Sequence, residues 1–246
     1  MARIVQKFGG TSVADAGRLR TVANWIEKYA RENQLVVVLS AQGKTTDRLV
    51  EKAKEIWPDG TGAAWARELD QLLACGEQVS VALCALELLR RGVPAVSLTG
   101  WQAGLFTSPS HQDAWPRQLI TQRIEKELSA GKVVLITGFQ GINIAGDITT
   151  LGRGGSDTTA VALSHYLGAD RCQIFTDVDG VYTADPRTDP TARKLDTVSY
   201  DQMLHMARSG AKVLHDRCVK LAMEFHMPIE VRSTFSDAPG TIVGDA

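Results

Sequence analysis

Short aliphatic runs punctuate the chain at 4–8, 35–40, 95–98, 133–137, 172–176 and 229–231. Runs of this kind, rich in Val and Ile and bounded by glycine or polar turns, predict strands buried on both faces. Between them, apolar positions recur every three or four residues at 13–29, 65–91, 115–130, 158–167 and 211–225. That spacing predicts helices. Strands alternating with helices predict an α/β fold, a three-layer αβα sandwich around a mainly parallel central sheet. No repeat, linker or low-complexity segment interrupts the pattern, so 1–246 is expected to form one domain. Ligands in such sheets bind beyond the carboxyl ends of the strands. Glycine- or hydroxyl-bearing segments follow three of the expected strands, at 9–12, 40–47 and 138–143.

The segment LGRGGSDTTA (151–160) carries the most chemistry. Its glycines let the backbone approach a ligand closely, and the helix that follows opens with unpaired N–H groups and partial positive charge. Such a turn holds phosphate or carboxylate. Arg153 adds a fork that matches a carboxylate at two points, and Asp157 stands beside it. An ordinary glycine-rich loop with a good helix cap is the alternative at this point. A second turn weakens that alternative. Strand 4–8 runs into Gly9-Gly10-Thr11-Ser12 and then into a helix, with Lys7 just before the turn. Backbone N–H groups there could hold phosphate, and the Lys7 ammonium could reach the same group. The order differs from a Walker A loop, because the lysine precedes the glycines.

Composition narrows the function classes. The 27 Lys and Arg against 28 Asp and Glu give a formal net charge of −1 and no electrostatic case for nucleic acid or an anionic membrane. No apolar run of the sequence approaches a membrane span, and the start lacks a signal-peptide apolar core. Cys75, Cys84, Cys172 and Cys218 form no CxxC pair and no zinc spacing. They are expected to be buried thiols in a reducing cytoplasm. The scattered histidines suggest no metal ligands.

Nine segments, in order, resemble the catalytic domain of aspartate kinase within the amino acid kinase superfamily. They are KFGGTSV (7–13), VVVLSAQGKTTD (36–47), LLACGEQVS (72–80), LTGWQAG (98–104), GFQGIN (138–143), LGRGGSDTTAVAL (151–163), TDVDGVYTADPR (176–187), GAKVLH (210–215) and VRSTFSDAPGT (231–241). The resemblance implies phosphoryl transfer from ATP, accompanied by Mg²⁺, to the side-chain carboxylate of L-aspartate. The product, 4-phospho-L-aspartate, opens the aspartate-family route to lysine and threonine.

The resemblance also implies roles. Lys7, with the backbone of Gly9, Gly10 and Thr11, would stabilise the transferring phosphoryl, and Asp157 would orient the lysine. No general base is needed, because a carboxylate acceptor is ionised at neutral pH. Arg153, with Gly154 and Ser156 beside it, would take the substrate α-carboxylate and Glu77 its ammonium. Ser40, Thr45 and Thr46 would give hydroxyl contacts. Thr176, Asp177, Tyr182, Arg187 and Lys212 would contact the nucleotide, with Lys212 at the start of the last helix. On the residues alone, Asp157 could be a helix cap, Glu77 a solvated helix residue, and Thr45-Thr46-Asp47 another cap.

Departures from the family pattern bear on the acceptor pocket and on regulation. Trp101 is large for its place, the segment 106–116 keeps little of the pattern beyond His111, and Asp216 stands where proline is common. Trp101 and Trp115 either pack or reshape the pocket or a subunit contact. Family members continue past APGT into paired ACT domains, so this chain is expected to lack ACT-mediated feedback by lysine or threonine. It is expected to form a homodimer or to join a separate regulatory subunit. The alternatives are a sister kinase for another small carboxylate or amino acid, and a non-catalytic nucleotide- or amino-acid-binding relative.

Overall fold

Successive residues of the central strands supply two apolar layers in turn. Ile4, Phe8, Leu35, Val37, Leu39, Val133, Leu135 and Phe175 belong to one cluster. Val5, Val36, Val38, Val134, Ile136, Cys172 and Ile174 belong to the other. This two-residue alternation is what a strand buried on both faces requires. The computed structural model describes every residue except Arg187, Ala211, Lys212 and Ala246.

In chain order the elements are β1 (Ala2–Phe8), α1 (Ala16–Ala30), β2 (Asn33–Leu39), α2 (Thr45–Ile56), α3 (Gly62–Leu73), α4 (Cys75–Arg90), β3 (Ala95–Leu98), β4 (Leu105–Thr107) and β5 (Pro116–Leu119). Then come α5 (Gln122–Ser129), β6 (Val133–Thr137), β7 (Gln140–Ile142), β8 (Ile148–Thr150), α6 (Gly155–Tyr166), β9 (Arg171–Thr176), β10 (Val181–Tyr182) and β11 (Lys194–Leu195). The chain closes with β12 (Thr197–Ser199), α7 (Tyr200–Arg208), α8 (Asp216–Glu224), β13 (Ile229–Ser233) and β14 (Thr241–Gly244). Among the described residues the main sheet has eight strands in the order β12-β14-β13-β9-β1-β2-β6-β3. Its neighbours are parallel except β13 with β14. A four-stranded sheet, β5-β4-β7-β8, and the β10-β11 pair complete the strands.

Helices α1 and α4 pack on one face through Leu19, Val22, Ile26, Val81, Cys84 and Leu88. Helices α5 to α8 cover the other through Ile124, Leu128, Val161, Leu163, Met203, Val219 and Leu221. The result is the expected αβα sandwich. Each large aliphatic side chain buried here contributes about 1.5–3 kcal/mol.

Several expected boundaries change. The helix expected over 13–29 begins at Ala16, because Asp15 accepts a bond from the Arg18 N–H and caps it. The single helix expected over 65–91 is two, α3 and α4, meeting at Ala74. The first part of 115–130 is a strand, and the helix is confined to Gln122–Ser129. The expected helix 211–225 starts only at Asp216. Helix α2, not among the expected helices, has no buried residue. Helix α7 opens with a Ser199/Gln202 capping box, an S-x-x-Q signature present in the sequence.

Two surface expectations also change. Cys84, Cys172 and Cys218 are buried, but Cys75 is exposed in the first turn of α4. Contrary to the sequence expectation, the helical stretch Gly62–Arg90 is long and apolar enough, by length and composition, to cross a membrane. Half of its most apolar window is buried inside the protein. Asp70 and Glu77 on this stretch are buried as well, as suits a core helix pair.

Candidate active site

Strands β1, β2, β6 and β9 run parallel and end together. Phe8 pairs in register with Leu39 and Phe175, and Leu39 with Thr137. The segments after three of these strands, 9–12, 40–47 and 138–143, therefore meet at one sheet edge. Backbone bonds knit the first two, from Ser40 N–H to Phe8 C=O at 3.2 Å and from Gly43 N–H to Gly10 C=O at 3.0 Å. Pleating aims Lys7 to the same side as Val5, towards α6.

Helix α6 begins after Gly154, whose φ of 73° is a left-handed conformation suited to glycine. Asp157 lies in its first turn. The Lys7 Nζ and Asp157 Oδ1 atoms are 2.5 Å apart, with both side chains 11% exposed. Oδ1 has no hydrogen bond of good alignment, so the contact is an ion pair. The carboxylate does not cap α6, which removes the helix-cap alternative.

A cleft of about 260 Å³ opens above this pair. Of the residues singled out in the sequence, Lys7, Gly10, Ser40, Thr46, Glu77, Arg153, Gly154, Ser156 and Asp157 line it. Gly152 and Gly155 of the same glycine-rich turn also line it, as do Ala41, Gly43 and Phe139, which the sequence had not singled out. Phe139 has φ 71°, unusual for a bulky residue. Its N–H donates to Thr159 Oγ1 at 3.0 Å, and its C=O accepts from Leu151 N–H at 2.8 Å. The position between two turn glycines, G-F-Q-G, was the available signal.

Glu77 is buried rather than solvated. It accepts from Ala41 N–H at 3.0 Å and from Gln140 Nε2 at 3.5 Å. No basic side chain pairs with it among the described residues. Burial pushes its carboxyl up to about 8, although bonds from its own backbone, Ala41 and Gln140 pull the other way. A cation arriving in the cleft would favour the ionised form. Arg153 is exposed on the cleft wall. Opposite charges for an amino acid's two ends thus line one cleft, though they lie far apart in sequence.

Other expected contacts lie elsewhere. Thr45 donates to Gln42 C=O at 2.7 Å and closes the turn before α2. Gly9 stands beside the Lys7 ammonium. Thr11 is exposed, and its carbonyl accepts from Arg18. Thr176 Oγ1 donates to Asp177 Oδ1 at 3.0 Å. Tyr182 OH donates to Asp179 Oδ1 at 2.9 Å, and Lys194 pairs with the same carboxylate. Thr176 ends β9, Asp177 follows it and Tyr182 lies in β10, all outside the cleft lining. Arg187 and Lys212 lie outside the described residues. Trp101 does not line the cleft.

The amino acid kinase family matches residues 2–233 of the chain. The chain belongs to the amino acid kinase family. It is 52% identical over 244 residues to an aspartokinase of Geobacillus stearothermophilus, covering 99% of this chain and 59% of that protein. An aspartate kinase from Synechocystis has a similar structure, with a TM-score of 0.85 and 47% identity over 99% of this chain and 40% of that one. Aspartokinase III of E. coli, in complex with aspartate and ADP, gives a TM-score of 0.85 at 29% identity, over 98% of this chain and 64% of that one. This amino acid kinase chain spans about 59% of the length of the curated Geobacillus relative.

Proposed function

We propose that this chain transfers the γ-phosphoryl group of ATP to the side-chain carboxylate of L-aspartate, releasing ADP and 4-phospho-L-aspartate. The observation that carries the reading is the Lys7–Asp157 ion pair in a cleft also lined by Glu77 and Arg153. The similarity to named aspartokinases supports aspartate as the acceptor.

In the proposed reaction, a carboxylate oxygen of aspartate attacks the γ-phosphorus. A new O–P bond forms while the bond to the β-phosphate oxygen breaks, and ADP carries away the leaving electron pair. No proton moves. The protein's task is therefore positioning and charge stabilisation. Lys7 offsets charge on the phosphoryl oxygens, and Asp157 holds the ammonium in place. The α6 N-terminus contributes N–H groups and partial positive charge at the same spot. Arg153 takes the α-carboxylate and Glu77 the ammonium, with Ser40, Thr46, Gly154 and Ser156 completing the wall. Thr176, Asp177 and Tyr182, with Arg187 and Lys212, are assigned to the nucleotide.

Magnesium would accompany ATP, held by phosphate oxygens and water, since Mg²⁺ takes few protein carboxylates. The four free thiols support a reducing, cytoplasmic setting. Exposed Val79, Leu83, Leu86 and Leu89 on α4 support association with a second copy or a separate regulatory chain. Phosphorus-31 NMR tests the reaction directly. An acyl-phosphate resonance should grow only when ATP, Mg²⁺ and L-aspartate are all present. ADP formation without that resonance would contradict the proposal.

A further inference from the structure

Two segments that depart from the family pattern, 106–116 and 215–217, meet beside the glycine-rich turn before α6. Arg217 Nη1 pairs with Asp113 Oδ1. Its Nη2 donates to Ala114 C=O at 2.7 Å. The guanidinium lies over the Trp115 ring, 4.4 Å from the centroid. Asp113 is 76% exposed, so charge alone contributes little here. The ring stack and the carbonyl bond fix the plane of the guanidinium, and its side chain is only 11% exposed.

This plane abuts the turn. A Cβ at Gly152 would lie 3.2 Å from Arg217 Nη1 and 2.8 Å from Gln112 C=O. A Cβ at Gly154 would lie 2.4 Å from His215 Cβ, and His215 is the residue that precedes α8. Ala114 N–H donates to Thr150 C=O at 3.0 Å, tying the same segment to the strand that leads into the turn. The turn between Gly152 and Gly154 is therefore held between Gln112 on one side and the start of α8 on the other. Arg217 joins the two sides. Arg153 is carried on this turn and is exposed to the cleft.

We propose that Arg217, braced by Trp115 and Asp113, is a positioning residue that fixes the Gly152–Gly154 turn and so sets where Arg153 meets the α-carboxylate of the acceptor amino acid. The link to the acceptor rests on the function proposed above; the bracing of the turn does not. Arg217 acts through the turn and need not touch substrate. Losing it should loosen acceptor binding and leave nucleotide binding alone.

The test compares wild type with Arg217→Met and Arg217→Lys by hydrogen–deuterium exchange and steady-state kinetics. In Arg217→Met, amides over 151–157 should exchange about tenfold faster, and the KM for L-aspartate should rise about tenfold. The KM for ATP should stay within about twofold of wild type. Arg217→Lys keeps the charge without the plane and should fall between the two. If Arg217→Met does not fold, Trp115→Leu, which removes the stacking face, should shift the same two readouts in the same direction. Unchanged exchange over 151–157, or equal rises in both KM values, would overturn the proposal. A folded wild type that never phosphorylates aspartate would remove the proposed acceptor, while the exchange data would still decide whether Arg217 braces the turn.

Discussion

Lys7, near the end of β1, and Asp157, in the first turn of α6, meet with 2.5 Å between Nζ and Oδ1. A cation held this way is ready for charge that develops on a transferring phosphoryl, without reorganisation at the moment of reaction. Lys7→Met should lower kcat by about 10²–10³-fold. The Lys7→Met/Asp157→Asn double variant should be little worse than Lys7→Met alone, because the second residue acts through the first. Steady-state kinetics on Lys7→Met, Asp157→Asn and the double variant checks this. Multiplicative losses in the double variant would show that the two residues act independently.

Glu77 couples pH to stability. Burial raises its carboxyl from the ordinary 4.5 to about 8 in the folded chain. Between those values the folded state binds more protons than the unfolded one. Stability should therefore fall as pH rises from 4.5 to about 8 and level off above that. Glu77→Gln removes the cost. Its Tm should match wild type near pH 5 and exceed it by about 4 °C or more near pH 9. The same variant should raise the KM for aspartate at least about tenfold, because the ammonium loses a charged partner. Parallel Tm–pH curves for the two proteins would contradict the assignment.

Gly154→Ala tests the turn itself. The substitution meets both a φ of 73° and the His215 side chain. The strain and the overlap should together cost about 2–4 kcal/mol, read from urea midpoints. A loss of under about 0.5 kcal/mol, the size of an ordinary surface change, would mean that the turn relaxes freely.

The central strands of the main sheet were readable because they are buried and rich in Val and Ile, as at Val36, Val37 and Val38, whereas β12 and β14 at one end were not foreseen. Lys7, Arg153 and Asp157 stood out because charged residues flank glycine turns. Their convergence was not readable, since it depends on the register that aligns Phe8 with Leu39 and Phe175. Helix α2 was missed although Leu49, Val50, Ala53 and Ile56 carry helical spacing. The strand β5 was absorbed into a helix, because apolar Ile120, Ile124 and Leu128 continue its spacing. Burial separated Glu77 from a solvated helix residue, and no local signal in the sequence carries burial of that kind. Phe139 was passed over because a phenylalanine is not expected at positive φ.

The nucleotide assignment separates from the acceptor assignment. Asp177 lies just after β9 and outside the cleft. Asp177→Ala should raise the KM for ATP by about tenfold and leave the KM for aspartate within about twofold. Varying each substrate at saturation of the other measures both. A rise confined to aspartate would move Asp177 to the acceptor side.

The most direct test of the proposed reaction is ADP release by the purified chain with Mg·ATP and L-aspartate, L-glutamate, N-acetyl-L-glutamate or no acceptor, with hydroxylamine present to trap acyl phosphate. Release that depends on L-aspartate, matched by an equal yield of aspartyl hydroxamate, is the predicted result. A folded sample that binds ATP and forms no hydroxamate from aspartate, or forms it from another acceptor instead, would contradict the account.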